Sequence, residues 1–331
     1  MKTVCVDEDG IGQRLDNFLM RELKGVPKSH VYRMIRSGEV RVNKGRAGAD
    51  TRLVAGDMVR VPPVRVSQRM TEKQQDMAAR VASGVPCRDF AVLLEDEHLI
   101  ALNKPAGVAV HGGSGVSFGV IEQLRMARPA ARFLELVHRL DRETSGILLV
   151  AKKRSALTNL QDQFRQRQTG KTYLALVRGQ WPGKLKVLDK PLHKYLQDSG
   201  SAAAGERRVR VVSRDDPNGL PSVTLVRMRV SSHDFSLLEV TIKTGRTHQI
   251  RVHLASEGYP IVGDDKYGDF DFNKSLARSA SEGGLKRMFL HAWRLQLNHP
   301  ATGVRLELQA DLPPELTTFL AAALPQSLNS P

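Results

Sequence analysis

The sequence predicts an α+β protein in two parts. A small N-terminal module over 11–63 is followed by a linker over 64–88. A larger domain over 89–320 is built on a mixed or antiparallel sheet with a central cleft. Three observations lead there. The chain has 331 residues, 41% of them apolar, enough for a module plus a domain with a sizeable core. Apolar residues recur at helical spacing near the start, whereas beyond residue 90 they fall mostly in short runs of strand length. Paired strand patterns joined by short turns outnumber helical patterns in that second part, which argues for hairpins.

In the module, Leu15, Phe18, Leu19 and Leu23 predict a first helix. A second short helix is expected with Ser29 as N-cap and Gly38 just past its end. Val31, Met34 and Ile35 form its apolar face, and Arg33 and Arg36 share another face at i, i+3. Val40 and Val42 then alternate, Asn43-Lys-Gly45 turns, and 57–61 reads as a short strand. Between Lys28 and Arg65 nine Lys/Arg stand against three Asp/Glu, so this module is basic. The stretch 64–88 is polar, lacks a period and contains Ser83-Gly84, as a linker would.

In the larger domain, 91–95 and 99–103 read as strands joined by Asp96-Glu97, and Asn103-Lys-Pro-Ala-Gly107 turns. The continuous apolar run 147–151 has the length of a buried strand. Another strand is expected over 171–177 and a long hairpin over 222–232 and 235–243. A helix over 247–257 ends at Gly258 and Pro260, and a late strand covers 288–297. The stretches 197–219 and 269–284 read as surface insertions with no assigned role.

The formal net charge of +15 suggests a polyanionic partner. The basic residues are interleaved with structured segments and form no amphipathic basic helix, which favours nucleic acid over a membrane surface. Aromatic residues are only 5%, too few for a platform that stacks many bases. Two distant cysteines, Cys5 and Cys87, make neither a disulfide framework nor a zinc site. An acidic Asp7-Glu8-Asp9 and the lack of a long apolar run argue against a signal peptide or a membrane span, so the cytoplasm is the expected location.

Several common motifs fail on spacing. Thr169-Gly-Lys-Thr172 imitates the end of a P-loop, but Arg165 stands where its first glycine belongs. Gly112-Gly113 and Gly115 lack the third glycine of a dinucleotide fingerprint, replaced by Phe118. His248 and His253 are five apart, wrong for a helical zinc pair. What remains is Val137-His-Arg-Leu-Asp-Arg-Glu-Thr-Ser-Gly-Ile-Leu-Leu-Val-Ala-Lys152. It sets one carboxylate, Asp141, between Arg139 and Arg142 and feeds a buried strand, so polar groups are held at a fixed place on a rigid scaffold. For a lone Asp among arginines a salt-bridged turn is the simpler account; the whole run, His138 to Lys152, is too particular for that.

That run resembles the signature of the RluA/RluC/RluD family of RNA pseudouridine synthases, in which the Asp of the His-Arg-Leu-Asp loop is catalytic. Asn103-Lys-Pro-Ala-Gly107, Lys171-Thr-Tyr-Leu-Ala175, Thr244-Gly-Arg-Thr-His-Gln-Ile-Arg251, Gly258-Tyr-Pro-Ile-Val-Gly-Asp264, Tyr267-Gly268 and Phe289-Leu-His-Ala292 follow in that family's order. The module, with Arg14-Leu-Asp-Asn-Phe-Leu19, 29–36 and Gly38-Glu-Val-Arg-Val-Asn43, resembles the S4 (αL-like) RNA-binding domain. The resemblance covers nearly the whole chain and is strongest to the branch acting on large-subunit ribosomal RNA.

The resemblance implies an isomerase that turns specific uridines of 23S rRNA into pseudouridine. Asp141 is then the catalytic residue, Arg246 the cation that pairs with it, and Tyr173 the ring that stacks on the uracil. Arg139 fills the gap left by a flipped nucleotide, and Arg142 is a further RNA contact. Arg33, Arg36, Arg41 and Lys44 are expected to touch phosphates. The implied partner is RNA, with no membrane, and the protein is expected to act as a monomer. The reaction needs no metal, nucleotide or redox cofactor, and none is expected. One carboxylate rather than two fits a reaction in which water must not be the acceptor. Whether Asp141 attacks C1′, attacks uracil C6 or abstracts a sugar proton stays open. Other rRNA or tRNA targets, a non-catalytic rRNA-binding assembly factor and a nucleoside hydrolase are the alternatives; the last would need a second carboxylate or a metal cluster.

Overall fold

Chain contacts divide the protein into two units, Met1–Cys87 and Arg88–Pro331. A computed structural model describes residues 2–7, 10–23, 26–64, 89–112, 118–197, 206–279 and 284–325. Except for Val64, the expected linker over 64–88 lies outside the described residues.

In the first unit the expected apolar faces meet. Helices α1 (Leu15–Glu22) and α2 (Lys28–Ser37) bury Leu15, Phe18 and Leu19 against Val31, Met34 and Ile35. Strands β1 (Lys2–Cys5), β2 (Arg41–Val42) and β3 (Met58–Val61) form a sheet in the order β1-β3-β2. Thus β1 adds a strand ahead of residue 11; its mostly exposed side chains give it no apolar signal. Pro27, not Ser29, precedes the first turn of α2, and Gly38 at φ +75° closes the helix. Asn43 (φ 48°) and Lys44 (φ 68°) make the tight turn, with Val42 and Gly45 exchanging backbone hydrogen bonds. The Asn43 amide fixes it, donating to Asp57 Oδ1 (2.7 Å) and accepting from the Met58 N–H (2.9 Å).

The second unit is organised by strands β4 (Ala91–Glu95), β5 (Leu99–Lys104), β6 (Glu135–Leu136), β7 (Ser145–Ala151), β8 (Gly170–Arg178), β9 (Val187–Asp189), β12 (Val223–Ser231), β13 (Phe235–Ile242), β14 (Leu290–Asn298) and β15 (Arg305–Gln309). Their order is β4-β5-β7-β14-β8-β13-β12-β9, with β6 on β7 and β15 on β14. Among the described strands only the β7–β14 pair is parallel, so the sheet is mixed. All seven residues of β7 are buried because both faces are covered. Ile100, Leu102, Leu148 and Val150 pack with helix α3 (Val120–Ala127). The alternating Leu99, Ala101, Ile147 and Leu149 pack with helix α4 (Arg154–Arg165). Helices α5 (Gln249–Ser256) and α7 (Pro314–Ala323) cover β8 and β13.

The parallel pairing of β7 and β14 requires Gly146. It has φ +109°, and a Cβ there would meet the Ala292 carbonyl oxygen within 2.3 Å. Gly146, Ala292, Tyr173 and Val240 are successive Cα partners across β7, β14, β8 and β13. This row sets the end of the 138–144 loop level with Tyr173.

The described parts of both expected insertions carry regular structure. Strands β10 (Leu192–Gln197) and β11 (Glu206–Val211) form a separate antiparallel pair, whose Leu192 and Val209 pack on Val252 of α5. Helix α6 (Phe270–Arg278) is capped by the Asp269 carboxylate, which accepts from the Phe272 N–H (3.0 Å). Its Asn273 accepts from the Gly263 N–H and donates to the Asp264 carbonyl, both at 2.8 Å. Helix α6 therefore braces the 263–264 turn.

Beneath the 138–144 loop, Ser145 and His291 form a buried pair, with Ser145 Oγ 2.8 Å from His291 Nδ1 and His291 Nε2 3.0 Å from the Ala310 carbonyl. Burial, and secondarily the nearby Arg287, push the imidazole down to about 4 from 6.5. The folded state thus holds His291 neutral while the unfolded chain takes up a proton below 6.5. The contribution is fully present above 6.5 and is lost as the pH falls from there towards 4, amounting to on the order of 3 kcal/mol. Urea unfolding of this unit, followed by Trp181 and Trp293 fluorescence, should therefore weaken steeply between neutral pH and pH about 5. His291→Gln should start less stable but lose less on acidification. Equal losses in the two proteins would rule out His291 as the source.

Candidate active site

The Lys104-Pro-Ala-Gly107 turn holds the Asp141 loop from one side. Lys104 is wholly buried, and its ammonium donates to the carbonyls of Pro105 (2.8 Å), Val108 (2.8 Å) and Arg142 (3.1 Å). Gly107 N–H also donates to the Arg142 carbonyl (2.9 Å), and Arg142 Nε returns a bond to the Gly107 carbonyl (3.0 Å). A buried charge must be fully hydrogen-bonded to be tolerated, so this ammonium fixes the backbone of residue 142 next to Asp141.

The other side is built by α5. Residues 249–254 of this helix are all buried. Gln249 locks the turn before it: its Oε1 accepts from Thr244 Oγ1 (2.8 Å) and the Arg246 N–H (3.1 Å), and its Nε2 donates to the Val223 carbonyl and Thr224 Oγ1, both at 3.0 Å. His248, at φ 53°, turns the chain into the helix. Arg251, within the helix, donates to Asp264 through Nε (2.7 Å) and Nη2 (2.6 Å). Its Nη1 lies 3.5 Å from Asp141 Oδ2. Burial disfavours the Arg251 charge, but Asp264, Asp141 and Asp265 outweigh it and hold the guanidinium more firmly protonated than usual.

The cation beside Asp141 is therefore Arg251, which corrects the expected pairing with Arg246. The physical reason is where the helix begins. Arg246 lies ahead of α5, exposed at the cleft, and its Nε donates to the Pro221 carbonyl (3.2 Å). Arg251 sits inside the helix, among apolar neighbours. An arginine among Ile250, Val252 and Leu254 is the signal that would have found it, since a buried guanidinium needs carboxylates.

Asp141 opens on a cleft of about 550 Å³, lined also by Arg139, Lys171, Tyr173, Arg246 and His248. The Tyr173 hydroxyl is shifted up, by burial first and by the Asp141 charge second, so it is a neutral phenol near neutrality. His248 Nε2 is 3.8 Å from Asp141 Oδ2, and its Nδ1 is 2.8 Å from the Tyr267 hydroxyl. Burial lowers its pKa more than Asp141 raises it, which keeps the imidazole neutral. Burial likewise holds His138 at about 4, where it stacks on Phe164 (4.9 Å) and accepts from the Leu149 N–H (3.1 Å).

Of the residues expected from sequence, Asp141, Tyr173, Arg139 and Arg246 line this one cleft. Arg142 keeps an exposed guanidinium, but its bond to Gly107 makes it a brace as well. In the first unit Arg33, Arg36 and Lys44 are exposed and Arg41 is partly so. Arg33 lies 3.1 Å from His30 Nε2, and Arg41 donates to the Lys44 carbonyl (3.2 Å). Among the described residues no group of three or more His, Cys, Asp or Glu could hold a metal ion, and no helix is long and apolar enough to cross a membrane.

The Arg251–Asp264 pair is almost wholly buried, so Asp264→Asn should cost ~3–5 kcal/mol of stability at neutral pH. Burial pushes the Asp264 carboxyl up, but hydrogen bonds and charge from Arg251, with the N–H groups of Lys266 and Tyr267, bring it below 3.8. Its contribution is present above that unfolded value and is lost as the pH falls through the lower folded one. The stability gap between wild type and variant in urea should hold at neutral and mildly acid pH, then narrow below 3.8. A gap that does not narrow on acidification would contradict the pairing.

Residues 98–256, which contain the Asp141 loop and Arg251, match the RNA pseudouridylate synthase family, and residues 13–59 match the S4 domain. The chain is 51% identical over 322 residues to ribosomal large subunit pseudouridine synthase C of Pasteurella multocida, covering 97% of this chain and 94% of that protein. It is 50% identical over 312 residues to the protein of that name from Escherichia coli K12, covering 94% and 93%. Among solved structures, human RNA pseudouridylate synthase domain containing 4 aligns with TM-score 0.55 and 26% identity, over 76% of this chain and 96% of that one. With the Asp141 loop, the helix bearing Arg251 and the N-terminal domain all accounted for, the chain belongs to the RNA pseudouridylate synthase family and carries an S4 domain.

Proposed function

We propose that this protein isomerises specific uridines of large-subunit (23S) ribosomal RNA to pseudouridine, acting as a cytoplasmic monomer. The observation that carries the reading is Asp141 itself: one carboxylate at an open cleft, beside Arg251 at 3.5 Å, with Tyr173 in the same wall. The reaction breaks the N1–C1′ bond, turns the uracil and joins C5 to C1′. The proton lost from C5 balances the one gained at N1. Nothing is oxidised or hydrolysed, so a carboxylate, a fixed cation and a neutral phenol supply what is needed. The target must leave the base stack to reach Asp141, at a cost of a few kcal/mol. Arg139, exposed and lining the cleft, occupies the space it vacates in this reading. The +15 net charge and the S4 domain supply the general attraction for RNA. Mapping pseudouridines in rRNA from cells with and without the protein tests the reading. Sites that vanish without it and return with wild type, but not with Asp141→Asn, support it. An unchanged map overturns it and leaves a binding factor.

Asp141→Asn should fold, bind RNA and show no measurable turnover. Because Arg251 and not Arg246 pairs with Asp141, the two arginines should separate in kinetics. Arg251→Met should lower kcat at least about a hundredfold, the scale of losing one charged group at a reacting centre. Arg246→Ala should chiefly raise KM. The reverse pattern would return Arg246 to the carboxylate.

Arg33 and Arg36 stand exposed on α2, away from any chemistry. A double Arg33→Ala, Arg36→Ala variant should raise KM for rRNA and leave the maximal rate near wild type. Each lost phosphate contact should flatten the salt dependence of binding by roughly 0.7–0.9 log units per log unit of salt. Identical slopes on one rRNA fragment would show that these arginines only solubilise the domain.

A further inference from the structure

We propose that Lys171 is a phosphate seat inside the catalytic cleft, gripping a phosphate that flanks the target uridine; this rests on the RNA-modifying reading above. Lys171 is two residues from Tyr173 on β8, so the two side chains leave the same face of the sheet, about 7 Å apart along the strand. Both line the cleft that contains Asp141. The ammonium lies 5.4 Å from the centre of the Phe164 ring, and that ring is stacked in turn on His138, next to Arg139. The wall behind the lysine is thus apolar and packed.

The surroundings of this ammonium supply no counter-charge. Among the described residues no carboxylate lies within ion-pair distance of it. Its pKa is lowered, first by burial and then by Arg167, a second cation. A partly buried charge with a like neighbour is unfavourable unless an anion arrives. The anions that a flipped uridine brings into a cleft are its own two flanking phosphates. The lysine's offset from Tyr173 along the strand is of the order that separates a base from its phosphate. In the rest of the cleft, Arg251 is already engaged by Asp264, whereas Lys171 has its charge to offer. A phosphate held there would fix the depth of the nucleotide and bring C1′ to Asp141. It would also discriminate a nucleotide within a chain from a free nucleoside.

The experiment pairs a protein change with a substrate change. Wild type, Lys171→Met and Lys171→Arg are assayed on rRNA fragments carrying an unmodified target or a neutral methylphosphonate 5′ or 3′ of it. Lys171→Met should lower kcat/KM by about tenfold to a hundredfold, the worth of a charge-assisted hydrogen bond. One methylphosphonate position should cost wild type a similar factor and cost Lys171→Met nothing more. Lys171→Arg should retain most activity and the same phosphate sensitivity. Losses that multiply at both positions would overturn the seat while leaving the isomerase reading intact. No pseudouridine from wild type on the unmodified target would overturn both. Should Lys171→Met fail to fold, wild type and Lys171→Arg decide, because indifference to both methylphosphonates excludes the contact.

Discussion

The guanidinium of Arg251 is shared unequally between two carboxylates. Asp264 takes it bidentately at 2.6 and 2.7 Å, while Asp141 meets it at 3.5 Å. The inequality separates structure from chemistry. Asp264 is buried, and its Oδ1 also accepts from the N–H groups of Lys266 and Tyr267, so this acid is held by four hydrogen bonds. The tight pair makes Arg251 a fixed positive group that does not have to be ordered at the moment of reaction. The loose contact gives Asp141 a favourable field yet leaves its oxygens free to engage substrate. Had the distances been reversed, the reacting carboxylate would have to break a strong bidentate pair before acting.

Everything around the site keeps those distances. Asn273 ties α6 to the turn at 263–264, which sets Asp264. Gln249 fastens the loop before α5, which sets Arg251. Lys104 and Gly107 fasten the backbone of residue 142, which sets Asp141. These supports come from separate stretches of chain and converge on Arg251, which meets both Asp264 and Asp141. The Gly146–Ala292 approach then levels the end of the loop with Tyr173 through the sheet itself. Backbone hydrogen bonding and close packing fix such a row far better than a surface loop would.

The parts legible in the sequence were those governed by local rules. Gly38 closes α2, Asn43 and Lys44 make the hairpin turn, and the apolar run ending at Ala151 is a strand buried on both faces. Asp141 was singled out by the resemblance of its whole loop-and-strand run to a family signature, and it lines the cleft. Arg251 was not, because the choice between two arginines five residues apart depends on which residue starts the helix, and His248 in a left-handed conformation starts it late. Likewise the polar stretch around Asn273 reads as an insertion, since most of α6 faces outward. Its value lies in two hydrogen bonds to another loop, a contact that no periodicity encodes.

The imidazoles near the site explain what kind of charge the cleft presents. Burial lowers His138, His248 and His291 alike, so none of them contributes a positive charge near neutral pH. The basic groups that line the cleft besides these are the guanidinium and ammonium groups of Arg139, Lys171, Arg246 and Arg251. Two of these, Arg139 and Arg246, are exposed, where they can steer a polyanion. Arg251 is buried and already neutralised, where it can act on the reacting carboxylate without also trapping the RNA backbone. Depth therefore sorts the cations by task. The exposed ones stand in water, where salt screens them; Arg251 acts in a low dielectric, where a contact of 3.5 Å counts for more.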